Sequence, residues 1–183
     1  MTFDIEKAEA LVKSKVKNKN LIKHMYAVQH SMRNLAKTLN EDENLWELVG
    51  LVHDIDYEET SKNPAEHGIV GANILKEAGY SDDVTSAVLA HVGNVERDTR
   101  IKKEIFAVDG LTGLIVACAL IHPSKSLEPI DVNFVLKRFK EKRFAAGANR
   151  DSIKSCEELE FSLEKFTEIT LNAMKNISDK LGL

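Results

Sequence analysis

The stretch "LWELVGLVHDIDYEE", residues 45–59, has helical spacing and is apolar almost all round from Leu45 to Ile55. Near its end a histidine and an aspartate, His53 and Asp54, stand side by side. An ionised carboxylate buried without a partner is strongly disfavoured. A helix this apolar that carries such a pair must find its compensation elsewhere in the chain.

The surrounding sequence is helical as well. Nearly every segment repeats its apolar residues at helical spacing, and no clear alternating strand pattern stands out. The spacing predicts helices over about 3–17, 20–39, 43–55, 65–78, 81–92, 98–122, 131–141, 150–158 and 160–181. Turn signals separate them: "NED" at 40–42, "SKNP" at 61–64, "AGYSDD" at 78–83, "HPSKSLEP" at 122–129 and "AAGAN" at 145–149. Pro64 suits a first helical turn and Ser81 a helix N-cap. With no linker, repeat or low-complexity tract, the expectation is a single all-α domain over residues 1–183. The hydrophobic share of 43% and charged share of 30% are those of an ordinary soluble globular chain.

Charge and composition exclude several function classes. A net charge of −4 argues against a general nucleic-acid binder, although a small anionic substrate can still meet local positive charge. "VKSKVKNKN" at 12–20 reads as a solvated face. The longest uncharged run, "GLTGLIVACALIHPS", is too short to span a bilayer and suits a buried helix, so no membrane partner is expected. The N-terminus has no apolar signal-peptide core. Cys118 and Cys156 form neither zinc spacing nor a disulfide framework and read as reduced thiols, which points to the cytoplasm. Nothing in the sequence fixes the oligomeric state.

The six histidines sort by helical spacing. On helix 20–39 the apolar stripe runs Leu21, Met25, Val28, Met32, Leu35, Leu39, and His24 lies within it. His30 is six positions on and faces elsewhere. His53 follows Trp46, Val49 and Gly50. His67 leads Val70, Gly71, Ile74 and Ala78, and His91 follows Val84, Ala87 and Val88. Four histidines thus point with the core residues of four different helices. His30 and His122 have no assignment. Asp109 is the only charged residue between Ile105 and Ile121, and Asp54 sits three after Leu51. Gly50, Gly110, Gly113 and Ala117 flank these acids and would let helices approach closely. A single histidine on an apolar stripe is also what a hydrogen-bonded core residue looks like, and a lone buried acid can pair with an arginine. Six such positions, one pair adjacent, need a common compensation, and a divalent metal supplies it. The mixed nitrogen and oxygen set suits one or two ions of Fe, Mn, Co, Ni or Zn better than Ca, with Mg also possible.

These residues resemble the HD-domain superfamily of metal-dependent phosphohydrolases. The family pattern is a histidine, a later His-Asp doublet and an aspartate further on, matched here by His24, His53-Asp54 and Asp109. Members with two metals add two histidines between, matched by His67 in "AEHGIVGA" and His91 in "AVLAHVGN". The resemblance covers about residues 20–120, with C-terminal helices at about 131–183 expected to pack on that core. The pattern is similar to that of diadenosine tetraphosphate hydrolases and, more distantly, cyclic dinucleotide phosphodiesterases. It looks closest to small stand-alone HD hydrolases with a "FAAGANR"-like stretch. Several relatives place a phosphate-holding lysine three residues after the doublet, where this chain has Tyr57. The cyclic dinucleotide enzymes pair two histidines where His91 is here followed by Val92.

The resemblance implies that Asp54 bridges two metals, that His24, His53 and Asp109 complete one site, and that His67 and His91 hold the second. It implies a metal-activated hydroxide attacking phosphorus, with His53, Asp54 and Asp109 at the catalytic centre and a small nucleotide or related phosphate ester as substrate. With a single metal, His67 and His91 become substrate-binding or acid–base groups. For substrate phosphate, "LKRFKEKRFAAGANRD" offers Lys140, Lys142, Arg143 and Arg150, and a solvated basic helix face is the other reading. Phe139, Phe144 and Trp46 read as core anchors. Asp56 and Glu58 read as acidic helix-end residues, or else as orienters of the ligands or a general acid. Two rival functions use the same residues: a di-iron oxygenase, and a nucleotide- or metal-binding regulatory module with little turnover.

Overall fold

Short polar side chains open the first helices by taking over amides that have no intrahelical partner. Asp4 caps α1 (Ile5–Lys15), Asn18 caps α2 (Lys19–Leu39) and Asp42 caps α3 (Glu43–Val52). The computed structural model describes residues 4–159 and 161–183. The expected helix starts at residues 3 and 160 lie outside the described residues. The chain continues through α4 (Tyr57–Thr60), a 3-10 turn over Pro64–Glu66, α5 (Ile69–Glu77), α6 (Asp82–His91) and α7 (Arg100–Ile121). It then forms α8 (Val132–Phe139), α9 (Arg150–Lys154), a 3-10 turn over Ser155–Leu159, α10 (Leu163–Lys175) and α11 (Ser178–Leu181). No strand occurs among the described residues, as the all-α expectation requires.

The layout is set by α2 and α7. Met25, Val28, Met32 and Leu35 of α2 are fully buried, as are Ile105, Val108, Leu111, Leu114 and Ile115 of α7. Each such side chain contributes about 1.5–3 kcal/mol by leaving water. α2 packs on α3, α7 and α10, and α7 packs on α2, α6, α8, α9 and α10. At 22 residues α7 is long and apolar enough to cross a bilayer, whereas the uncharged run over 110–124, which begins in it and ends three residues beyond it, is shorter. More than half of its apolar stretch is buried inside the fold, as in the core helix of a soluble protein. α2 and α3 approach closely at Gly50, where a Cβ would meet the Gln29 Cα and the Val28 carbonyl oxygen at 2.8 Å. Glu47 ties the pair further, accepting from Gln29 Nε2 at 3.0 Å and pairing with Arg33.

Several expected helices end early or split, and the reasons are local. α3 stops at Val52, not residue 55, and His53 to Asp56 form tighter turns with Ile55 N donating to Val52 O at 3.2 Å. The helix expected over 65–78 is broken at Gly68, whose φ of 78° is readily adopted by glycine. His67 therefore lies in an extended link before α5, not on its stripe. The helix expected over 160–181 divides at Asn176 and Ile177 into α10 and α11. Ser81 stands at the start of α6 but makes no side-chain capping bond. Gly113 opens to space, with nothing within 4 Å of a Cβ there, so it does not serve helix approach as expected.

Candidate metal centre

Four imidazoles meet with the same ring nitrogen inward. His53 Nδ1–H donates to the Gly50 carbonyl at 2.9 Å, and His91 Nδ1–H donates to the Val88 carbonyl. His67 Nδ1–H donates to Asp56 Oδ1 at 3.0 Å, and His24 Nδ1–H is 3.4 Å from the Thr112 hydroxyl oxygen. Each outward nitrogen is thus held by a protein acceptor, which fixes the tautomer and leaves the Nε2 lone pair pointing in. The Nε2 atoms of His24 and His53 are 3.3 Å apart, and those of His67 and His91 are 3.2 Å apart.

Asp54 lies between the two pairs. Its Oδ2 is 3.6 Å from His24 Nε2 and 3.5 Å from His53 Nε2. Its Oδ1 is 3.3 Å from both His67 Nε2 and His91 Nε2. Asp109 Oδ1 joins the first pair, 3.0 Å from His24 Nε2 and 3.8 Å from His53 Nε2. Ligands bonded to one ion at about 2.1 Å stand about 3.0–3.4 Å apart in octahedral or tetrahedral arrangement. The spacings within each histidine pair, those of Asp54 Oδ1 and that of His24 to Asp109 fall in this range, while those of Asp54 Oδ2 and of His53 to Asp109 are wider, at 3.5–3.8 Å. The groups His24–His53–Asp54 and Asp54–His67–His91 are each capable of holding an ion. Facing imidazole lone pairs repel unless a proton or a cation lies between them, so the donor set fits the metal that the sequence implies.

The electrostatics follow from the same contacts. Burial alone would lower the His53 imidazolium, but Asp54 beside it, then Asp109, outweigh this and raise it to about 9. Burial likewise opposes charge on His67, while Asp54 and Asp56 raise it to about 9. Burial favours the neutral form of Asp54, yet His53, His67 and His91 hold it well below the usual carboxylate range. Against the same burial penalty Asp109 is lowered by His24 and His53. The cluster is thus built to hold positive charge. It is closed on one side and open on the other: the side chains of His53 and His91 are 0% and 1% exposed, those of His24 and Asp109 23% and 34%.

Of the residues behind the cluster, Asp56 carried ligand orientation as one of its readings and Thr112 carried none. Asp56 is fully buried and also accepts from Gly68 N at 2.8 Å and Gly71 N at 2.9 Å, so one carboxylate both orients His67 and starts α5. Of the readings of Asp56, orientation of a ligand is the one its contacts match. Glu58 instead accepts from Lys17 N and Asn18 N and holds the link between α1 and α2. Thr112 comes from a position 88 residues from His24, and no short motif marks it. Tyr57 is half exposed and lies edge-on to His67 at 5.1 Å between ring centres. His30 and His122 lie outside the cluster.

The expected phosphate-binding cations are placed differently. Arg150 does not offer its guanidinium to the site: it donates to six backbone carbonyls, of Arg138, Phe139, Glu141, Phe144, Ala145 and Ala148. Lys140, Lys142 and Arg143 are exposed, and none lines the cavity of about 380 Å³ that opens over His24 and Asp109. Gly110, Gly113, Ala145, Gly147 and Ala148 complete that cavity. Phe139 is buried and Phe144 half-buried, as core anchors. A second cavity of about 450 Å³ shares His24 and Gly113 and continues along Asn20, Lys23, Val116, Leu120, Leu181 and Leu183.

Comparison with known proteins reaches the same segment. The family model described as HD domain matches residues 21–122, more than half of the chain. An uncharacterized protein of Methanocaldococcus jannaschii is 29% identical over 161 residues, covering 83% of this chain and 92% of that one. Ribonuclease Y of Desulforudis audaxviator and that of Acetivibrio thermocellus are each 30% identical over 93 residues, 51% of this chain. The match spans 18% of the length of those two relatives. No solved structure matches the chain.

Proposed function

The chain belongs to the HD domain family, and from that premise we propose that it is a metal-dependent phosphohydrolase cleaving a small phosphate ester, a nucleotide or a related compound. The observation that carries this reading is Asp54, which turns one oxygen to each of two histidine pairs. His24, His53, Asp54 and Asp109 would hold one ion, and Asp54, His67 and His91 a second. Bound divalent ions supply Lewis acidity, lowering the pKa of water and offsetting charge on a phosphoryl group.

The chain's own residues account for the rest. Asp54 and Asp109 would repel a phosphoryl group by themselves, so phosphate binding here requires the cations they hold. The closed side at His53 and His91 fixes geometry and excludes water, while the open side at His24 and Asp109 admits substrate. The aliphatic recess along Val116, Leu120, Leu181 and Leu183 gives room for an organic body beside the phosphate, with Lys23 at its edge. The ribonuclease Y relatives are by name phosphodiester-cleaving enzymes, which supports the same bond chemistry in the shared segment. The net charge of −4 favours a small substrate over a polynucleotide.

Protein purified without chelator should carry one to two transition ions per chain by elemental analysis. A screen of nucleoside mono-, di- and polyphosphates with Mn²⁺ or Fe²⁺ should then release phosphate. Asp54→Ala should lose both the ions and the turnover. Phosphate release that survives Asp54→Ala would contradict the assignment.

A further inference from the structure

The turn between α8 and α9 has a second face. Six carbonyls between Arg138 and Ala148 converge on the Arg150 guanidinium at 2.6–3.5 Å. Peptide groups are planar and trans, so each carbonyl turned to Arg150 directs the following N–H the opposite way. The carbonyls of Phe144, Ala145 and Ala148 therefore aim the amides of Ala145, Ala146 and Asn149 away from the guanidinium. Among the described residues none of these three amides finds an acceptor. Ala145, at φ 45°, lines the cavity that opens over His24 and Asp109. Gly110, next to Asp109 in sequence, is on the wall of the same cavity, and the Asn149 nitrogen lies behind it, 3.6 Å from where a Cβ on Gly110 would stand. The start of α9 is not the donor, because Asn149 Oδ1 already accepts from Asp151 N and Ser152 N.

We propose that this Arg150-braced turn is an oxyanion subsite of the metal centre, whose backbone amides at Ala145 and Asn149 receive phosphoryl oxygens of the substrate. Backbone amides without an acceptor that face one side of a turn, here opened by Ala145 at φ 45°, offer donors to an anion. Arg150 is then a positioning residue: it never meets the phosphate, but it turns the carbonyls inward and leaves donors facing out. The subsite supplies an anion contact beside the metal centre that Lys140, Lys142 and Arg143, outside the cavity, do not. The inference rests on the phosphohydrolase reading for the identity of the anion.

Inorganic phosphate binding to the metal-loaded protein, measured by calorimetry, tests it apart from turnover. Gly147 lines the cavity and nothing stands within 4 Å of a Cβ there, so Gly147→Leu adds bulk at the cavity wall without a clash at Cβ. Gly147→Leu and Arg150→Lys should each weaken phosphate binding about tenfold or more and raise KM more than they lower kcat, with metal content unchanged. If Arg150→Lys does not fold, Gly147→Leu alone decides. Unchanged phosphate affinity in Gly147→Leu with the metals in place overturns the subsite, even if the protein hydrolyses phosphate esters. Weakened phosphate binding in a protein that hydrolyses none of the esters screened upholds the subsite and overturns the hydrolase reading instead.

Discussion

Asp56 shows how much one buried side chain can decide. Its oxygens hold His67 Nδ1 and the amides of Gly68 and Gly71, so the imidazole, the left-handed link and the start of α5 depend on it together. Asp56→Asn exchanges one of those acceptors for a donor and should weaken metal binding about 10- to 100-fold at the His67–His91 side, read by chelator competition. Unchanged affinity would mean that His67 is oriented by packing alone. Protonation sets a second expectation. His53 and His67 are raised in the folded protein from 6.5 to about 9. A raised folded value means that their contribution to metal-free stability is fully present below about pH 6.5 and is lost as pH rises through about 9. Metal binding must displace these protons, so affinity should climb over the same interval. Thermal unfolding in chelator across pH 6–10 checks the first, and metal titration at each pH the second. At this scale His24, His91 and Asp109 were legible because their polarity breaks apolar helical stripes, and His53-Asp54 because the doublet ends one, whereas His67 was reached through a stripe that Gly68 breaks. Among its readings Asp56 could not be assigned one, and Thr112 carried none, because what they do depends on partners brought near by folding.

The helices carry their own tests. At Gly50 the α2 and α3 backbones are so close that Gly50→Ala must push them apart. It should cost about 2–3 kcal/mol in urea unfolding, and it should also weaken metal binding, because the Gly50 carbonyl anchors His53. Stability lost with metal affinity intact would detach the anchor from the site. α7 hides a different feature. Glu104 is fully buried, neither carboxylate oxygen has a partner among the described residues, and burial raises it to about 8. With the folded value above the ordinary 4.5, its contribution to stability is present at low pH and is lost as pH rises from about 4.5 through about 8. Glu104→Gln should therefore raise the melting temperature at pH 8.5 by a few degrees and flatten the dependence between pH 5 and 8. A fall at pH 8.5 would show that Glu104 has an ionic partner. Helix existence was legible from periodicity, whereas the ends of α3 and α5 were not, since a buried carboxylate and a glycine in the left-handed region redirected the chain there.

For the whole molecule, the candidate ligands come from α2, the turn after α3, the link before α5, α6 and α7. An ion held by all of them binds only the folded chain. At free metal a hundredfold above its Kd, linkage adds about 2.7 kcal/mol, or about 5–10 °C in melting temperature for a chain of this size. Scanning calorimetry with and without chelator measures it, and equal melting temperatures would mean that the cluster holds no ion tightly. The sequence by itself determined that the chain is helical, because apolar periodicity follows from which side chains can leave water, and it marked four histidines and two acids as candidates. Only the tertiary structure decided how they meet: the division of Asp54 between two pairs, the support from Asp56 and Thr112, and the turning of Arg150 from the substrate to the backbone. Those depend on distances between segments far apart in the chain, and a guanidinium binds whichever acceptors the fold sets around it.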